Sequence, residues 1–255
     1  MTLQTRKIIA IGGGEIGRPG TQIETESIDK EIIQLSGKSN PKLLFLPTAT
    51  EHTKNYNGYI EVIEAYFGKK LGCKVDYLLL KGKPSSADIR EKIFASDIIY
   101  VGGGNTLRMM NLWRRLRVDS VLQQAQEKGK VLCGVSAGSI CWFSYGQSDS
   151  WKMANPKNPY IRVTGLGLIP ALHAPHFTRE PARHKDLKSI TKRTTEVGIA
   201  LEDCCALEVV GNEYRILISK PQAKAYKCYW KAGKYHQDVI PQLKEFSPLE
   251  SLLEK

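Results

Sequence analysis

No stretch of about 18 consecutive apolar residues occurs in the 255-residue chain, so the sequence holds no transmembrane helix. The opening MTLQTRKIIAIGGG carries too short an apolar segment for a secretory signal and reads as a first strand, which makes the cytoplasm the expected compartment. None of the cysteines (Cys73, Cys133, Cys141, Cys204, Cys205 and Cys228) belongs to a C-x-x-C pair. A structural zinc site or a disulfide frame is therefore not expected, and the cysteines read as reduced core thiols. Internal repeats and low-complexity linkers are absent too, and no composition shift marks a boundary, so residues 1–255 read as a single domain. Acidic residues are the scarcer charge, 26 against 37 basic, for a net charge of +11. Such an excess can serve nucleic acid or acidic substrates. The densest basic cluster, Arg114, Arg115 and Arg117, shares a helix with Met109, Leu112, Trp113 and Leu116 on its other face. That is ordinary amphipathic spacing, and no nucleic-acid module accompanies it, so the excess reads as a solvated basic surface.

What the chain does have is a set of short apolar runs: KIIAIGGG, KLLFLPTAT, DIIYVGGGN and KVLCGVSAG. Each is rich in Ile, Val and Leu and does not alternate, as expected of strands buried on both faces of a parallel sheet. A weaker candidate, CKVDYLLLKG, lies between the second and third. Helical spacing is found over 27–35, 59–71, 87–94, 106–116 and 120–128. Strand alternating with helix predicts an α/β fold: a doubly wound, mostly parallel sheet with helices on both faces. After Trp142 the chain reads as loop-rich, with a helix in DLKSITKRTTEVG and short strands in GIALEDCCALEVVGNEYRILIS around a Gly211-Asn212 turn. The early strands all end in small or turn-forming residues. In an open parallel sheet these ends share one edge, and ligands bind in the crevice beyond it.

Three glycine motifs compete for that crevice. GGGEIG, from Gly12, matches a dinucleotide fingerprint, but Arg18-Pro19-Gly20 stand where a helix should start and LLFLPT lacks the acidic residue that should follow. It reads instead as a close-packed glycine turn, or as a loop that brings Glu15 to a substrate. VGGGNT, from Val101, follows a strand and opens a helix capped by Asn105. GVSAG, from Gly134, is a G-x-S-x-G motif between strand and helix, the setting of a nucleophile elbow. There Ser136 is presented at the strand end, with the Ala137 N–H aimed where an oxyanion would form. A serine needs a base, and the base needs an orienting carboxylate. His176 in HAPHFT follows an apolar segment whose strand end would present it, and His173 is its rival. Asp149 in GQSDSW is a candidate acid, with Glu202 and Asp203 as competitors.

Taken together, VGGGNT, GVSAGS, the S-D-S loop and PHFT resemble the dipeptidase E family of serine peptidases, the aspartyl dipeptidases with their cyanophycinase branch. The resemblance spans roughly residues 95–180 and implies a flavodoxin-like fold similar to that of class I glutamine amidotransferases. It implies Ser136 as nucleophile, His176 as base and Asp149 as third member, although WFSYGQSDSWKM departs from the family between Ser136 and Asp149. It further implies Ala137 and Gly104 as oxyanion donors, Asn105 at the substrate, and Arg179 or Arg183 for a substrate carboxylate. The expected substrate is a small peptide, with an N-terminal aspartyl dipeptide as the family preference and no metal or organic cofactor. A homodimer is compatible with the resemblance; nucleic acid and membrane are not expected partners. Two alternatives stand beside it. One is an α/β-hydrolase-type esterase, which shares the Ser, acid, His order but inserts more chain than the segment from Ser136 to His176. The other is a catalytically silent amidotransferase-like binding protein.

Overall fold

A computed structural model describes residues 6–54, 56–178 and 181–255. The first half alternates as the apolar runs require: β1 (Lys7–Ile11), α1 (Glu26–Leu35), β2 (Lys42–Leu46), then α2 (Tyr56–Ile63), which runs on as a π-helical segment (Glu64–Lys70). β3 (Lys74–Tyr77), α3 (Ser86–Ala95), β4 (Ile98–Val101), α4 (Thr106–Leu116), α5 (Val118–Glu127), β5 (Val131–Val135) and the single turn α6 (Ala137–Ile140) follow. β1, β5, β4, β2 and β3 lie side by side in that order, all parallel. Every residue of β4 is buried, as is β1 from Ile8 onward, which is why these strands do not alternate in sequence. Ile9 and Ile11 face α1, α2 and the π-helical segment through Ile28, Ile32, Ile63 and Phe67. Ile8 and Ala10 belong to the opposite core, which holds Ile93, Met109, Trp113 and Leu122 from α3, α4 and α5. Asn105 caps α4 as expected, its side chain accepting from the Arg108 N–H at 2.9 Å.

The second half is more ordered than its sequence suggests. The stretch read as loop contains β6 (Phe143–Ser148), β7 (Ile161–Thr164) and β8 (Ile169–Ala174). The helix α7 (Ala182–Thr191) starts and stops earlier than its apolar spacing indicates, because Gly198 already belongs to β9 (Gly198–Leu201). β10 (Cys205–Val210) and β11 (Glu213–Ile218) pair about the Gly211-Asn212 turn, as expected. β12 (Ala225–Lys231) and β13 (Lys234–Ile240) form a further hairpin, and β14 (Ser247–Pro248) and α8 (Leu249–Leu253) close the chain.

These strands have two destinations. β10, β11 and β14 extend the parallel array beyond β1, each antiparallel to the strand before it, making an eight-stranded sheet. β7, β6, β8, β9, β12 and β13 form a separate six-stranded sheet. Its inner face, with Ile169, Ala171, Ile199 and Leu201, shares the core of α3, α4 and α5, while its outer face is covered by Leu187 of α7. The doubly wound sheet is therefore present, and a second sheet packs beside it. All six cysteines are buried thiols without a disulfide.

Candidate active site

The chain turns most sharply at the end of β5. Ser136 has φ 58° and ψ −114°, a region that L residues rarely occupy. The flanking glycines explain how the turn is tolerated. A Cβ on Gly134 would overlap the Gly138 carbonyl, and one on Gly138 would overlap the Val101 carbonyl of β4. Ser136 is pinned from below by its N–H, which donates to the Ile11 carbonyl at 3.1 Å. The Ala137 N–H opens α6 and so has no acceptor within that helix. In the loop after β4, the Gly103 backbone lies against the Tyr59 hydroxyl, and Gly104 has a positive φ in a spot where a Cβ would press on Ala49.

The candidate base comes from the other sheet. Beyond the end of β8, His176 takes a positive φ and donates its N–H to the Gly12 carbonyl at 3.2 Å. Its Nδ1 lies 2.5 Å from Asp203 Oδ1, in the turn between β9 and β10. That turn is stitched to the end of β1 as well: Cys204 N–H donates to the Gly13 carbonyl and Gly12 N–H to the Cys205 carbonyl, both at 2.8 Å. A Cβ on Gly13 would overlap both Asp203 Oδ1 and His176 Nδ1. Position 13 is thus glycine because the histidine–carboxylate pair rests on its backbone. With Nδ1–H directed to Asp203, the imidazole keeps Nε2 as its proton acceptor.

Ser136 and His176 line one cavity of about 740 Å³ at the carboxyl edge of the parallel strands. Gly14, Glu15 and Arg18 reach it from the loop after β1, Thr50 and Lys54 from the loop after β2, Tyr59 from α2, and Gly103 and Gly104 from the loop after β4. This is the crevice that the strand ends predict.

A family model described as peptidase family S51 matches residues 3–217. The chain belongs to peptidase family S51. Within it, a Bacillus subtilis protein described as an uncharacterized peptidase, YgaJ, is 33% identical over 245 residues, covering 92% of this chain and 97% of that one. A peptidase E of Shewanella amazonensis is 32% identical over 143 residues, 53% of this chain and 59% of that one. Among solved structures, a peptidase from an acI-B1 Actinobacterium superposes with a TM-score of 0.74 at 16% identity, over 96% of this chain and 98% of that one. A putative peptidase E from Listeria monocytogenes gives 0.60 at 21% identity, over 84% and 98%. The chain is a serine-type peptidase with the flavodoxin-like, amidotransferase-like fold, and the esterase reading is set aside.

Against this S51 frame, the other expected site residues fall into distinct places. The carboxylate that the structure sets against His176 is that of Asp203, not Asp149. Asp149 follows β6 and faces Arg183 of α7 at 3.8 Å. Arg183 is itself buried, donates to the Gln147 carbonyl at 3.1 Å and stacks over Tyr160, so it is built into the second sheet and not aimed at a substrate. Glu202 accepts from Tyr226 at 2.8 Å and from the Lys224 N–H at 3.0 Å, both on the strand side. Asn105 lies outside the Ser136 cavity, where it caps α4 and donates to the Ser150 carbonyl at 3.2 Å. Glu15 does line the cavity, paired with Arg18. Arg179 lies outside the described residues. His173 is fully buried between Ser139 and the Ile199 carbonyl, and burial lowers it to about 3, which removes it as a rival base.

Tyr59, Arg18 and Lys54 are cavity residues that sequence reading passes over. Burial pushes the Tyr59 hydroxyl up to about 12, so it stays a neutral hydrogen-bonding group at the wall. Deeper on the same side, Asp29 is buried and accepts from Thr25 at 2.7 Å and Tyr66 at 2.9 Å. Burial raises its carboxyl to about 7.

Proposed function

We propose that this S51 peptidase hydrolyses small peptides with Ser136 as nucleophile, His176 as general base and Asp203 as the orienting carboxylate. The observation that carries the reading is the shared cavity: a strained elbow serine and an imidazole held by a carboxylate at 2.5 Å open onto it together. His176 Nε2 takes the Ser136 proton as Oγ attacks the peptide carbonyl. Asp203 holds the tautomer and stabilises the imidazolium. The N–H groups of Ala137 and Gly104 receive the tetrahedral oxyanion, each such donor contributing about 3 kcal/mol to lowering the barrier. His176 then protonates the leaving amine, and water deacylates the enzyme by the same route in reverse.

The preferred substrate in this reading is an N-terminal aspartyl dipeptide. The cavity's charge supports it: Arg18 is paired with Glu15, whereas Lys54 has no ion-pair partner among the described residues and leaves one cation to meet a carboxylate. Cleavage of Asp-Leu and Asn-Leu by the purified protein tests the preference. A kcat/KM at least tenfold higher for Asp-Leu is expected, and reduced severalfold in Lys54→Gln. Equal rates on the two dipeptides would remove the aspartyl assignment while leaving the peptidase chemistry in place.

A further inference from the structure

Ser139 and His173 take no part in the chemistry above, yet they form a continuous polar chain behind the nucleophile. Ser139 Oγ lies 2.7 Å from the Ser136 carbonyl oxygen and 2.8 Å from His173 Nε2. His173 Nδ1 lies 2.9 Å from the Ile199 carbonyl on β9. The imidazole is stacked on Phe143, ring centroids 4.5 Å apart. Ser139, His173, Phe143 and Ile199 are all excluded from solvent.

The proton count fixes the roles in this chain. It has a carbonyl acceptor at each end and only a hydroxyl and an imidazole between them. Burial, with the Arg183 charge nearby, keeps His173 neutral. Nδ1 must carry its proton to meet the Ile199 carbonyl, so Nε2 is an acceptor and receives the Ser139 hydroxyl proton. The same hydroxyl also donates to the Ser136 carbonyl at 2.7 Å, so its proton is shared between that oxygen and Nε2, while the carbonyl accepts the N–H groups of Ser139 and Ile140 at 3.0 and 3.1 Å as well.

We infer that Ser139 and His173 are positioning residues, a buried clamp that ties the nucleophile elbow to the strand presenting the base. Two features give it a mechanical role. α6 is a single turn, too short to hold a strained elbow by its own hydrogen bonds. His173 lies on β8, three residues before His176, so the clamp connects the two reacting side chains by a short path through the buried interior. Ser136 belongs to the eight-stranded sheet and His176 to the end of a strand in the other, so their separation depends on how the sheets are held together. A displacement of about 1 Å between reacting groups can cost a hundredfold in rate.

This inference rests on Ser136 being the nucleophile, and its test keeps the two separable. A fluorophosphonate is reacted with the wild type, Ser139→Ala, His173→Phe and the double variant, and adduct formation is followed by intact mass over a concentration series. His173→Phe keeps the stacked ring, and Ser139→Ala removes one oxygen. Each single variant is expected to lower the limiting rate kinact about tenfold with KI within twofold of wild type, and the double variant to be no slower than the slower single. A kinact unchanged in a folded variant would overturn the clamp, as would multiplicative losses in the double. Should His173→Phe not fold, Ser139→Ala alone decides, by the same split between kinact and KI. Wild type that takes no adduct would instead remove the nucleophile assignment.

Discussion

In the proposed site the two sheets contribute by different means. The eight-stranded sheet contributes mainly backbone: a strained turn at Ser136, the N–H groups of Ala137 and Gly104, and glycines where a Cβ would collide. The six-stranded sheet contributes side chains, His176 from beyond β8 and Asp203 from the crossover that leaves β9 for β10. They meet at Gly12 and Gly13, whose N–H and carbonyl groups bind the Asp203 turn and whose missing side chains make room for the imidazole. The proposed nucleophile can therefore be built from local sequence alone, whereas the proposed base and acid come together only once β10, far away in sequence, has paired with β1.

That contrast can be broken from either side. Ser136→Ala should have the largest effect, lowering kcat on a cleaved dipeptide by about 10⁴- to 10⁶-fold, with thermal unfolding little changed. Asp203→Asn should lower kcat by about 10⁴-fold, since the imidazole loses the acceptor that sets its tautomer. Asp149→Asn should change kcat less than about threefold, because Asp149 does not line the Ser136 cavity and its contact with Arg183 is a long one of 3.8 Å. Gly13→Ala attacks the junction itself: the new methyl displaces Asp203 or His176, and kcat should fall about a hundredfold while Ser136 is untouched.

The smallest expected effect on catalysis, and a distinct one on stability, belongs to Asp29. Its carboxyl is raised to about 7 by burial, so the folded chain holds a proton that the unfolded chain releases near pH 4. The resulting stabilisation is complete below pH 4 and is lost as pH rises to 7. Asp29→Asn retains an acceptor for Thr25 and Tyr66 and removes that slope. Urea midpoints should therefore shift in favour of the variant between pH 4 and 7; parallel pH profiles for the two proteins would refute the assignment.

How much of this is legible before the structure follows from the same physics. β1, β2, β4 and β5 are evident because strands buried on both faces are written as unbroken apolar runs. β6 (FSYGQS) and β13 (KYHQDVI) mix polar and apolar residues, and the Ala232-Gly233 turn joining β12 to β13 lacks the usual Asn-Gly signature despite its two positive φ angles. The G-x-S-x-G requirement is local, so Ser136 stands out. The partner of His176 does not, because Glu202 and Asp203 are neighbours in sequence and only the pairing of β10 with β1 turns one toward the imidazole and the other toward Tyr226. Asp149 has the more suggestive sequence context, but α7 brings Arg183 to it. GGGEIG misleads for a related reason: Gly12 and Gly13 accommodate residues some 160–190 positions later.

The central claim is that His176, oriented by Asp203, activates Ser136. It is tested most directly by the rate at which a fluorophosphonate modifies Ser136 in the wild type, Asp203→Asn and Asp149→Asn, with the adduct located by peptide mass spectrometry. The account predicts rapid modification at Ser136 in the wild type and Asp149→Asn, and a rate at least a hundredfold lower in Asp203→Asn. Equal rates in the wild type and Asp203→Asn, with a collapse in Asp149→Asn, would contradict it.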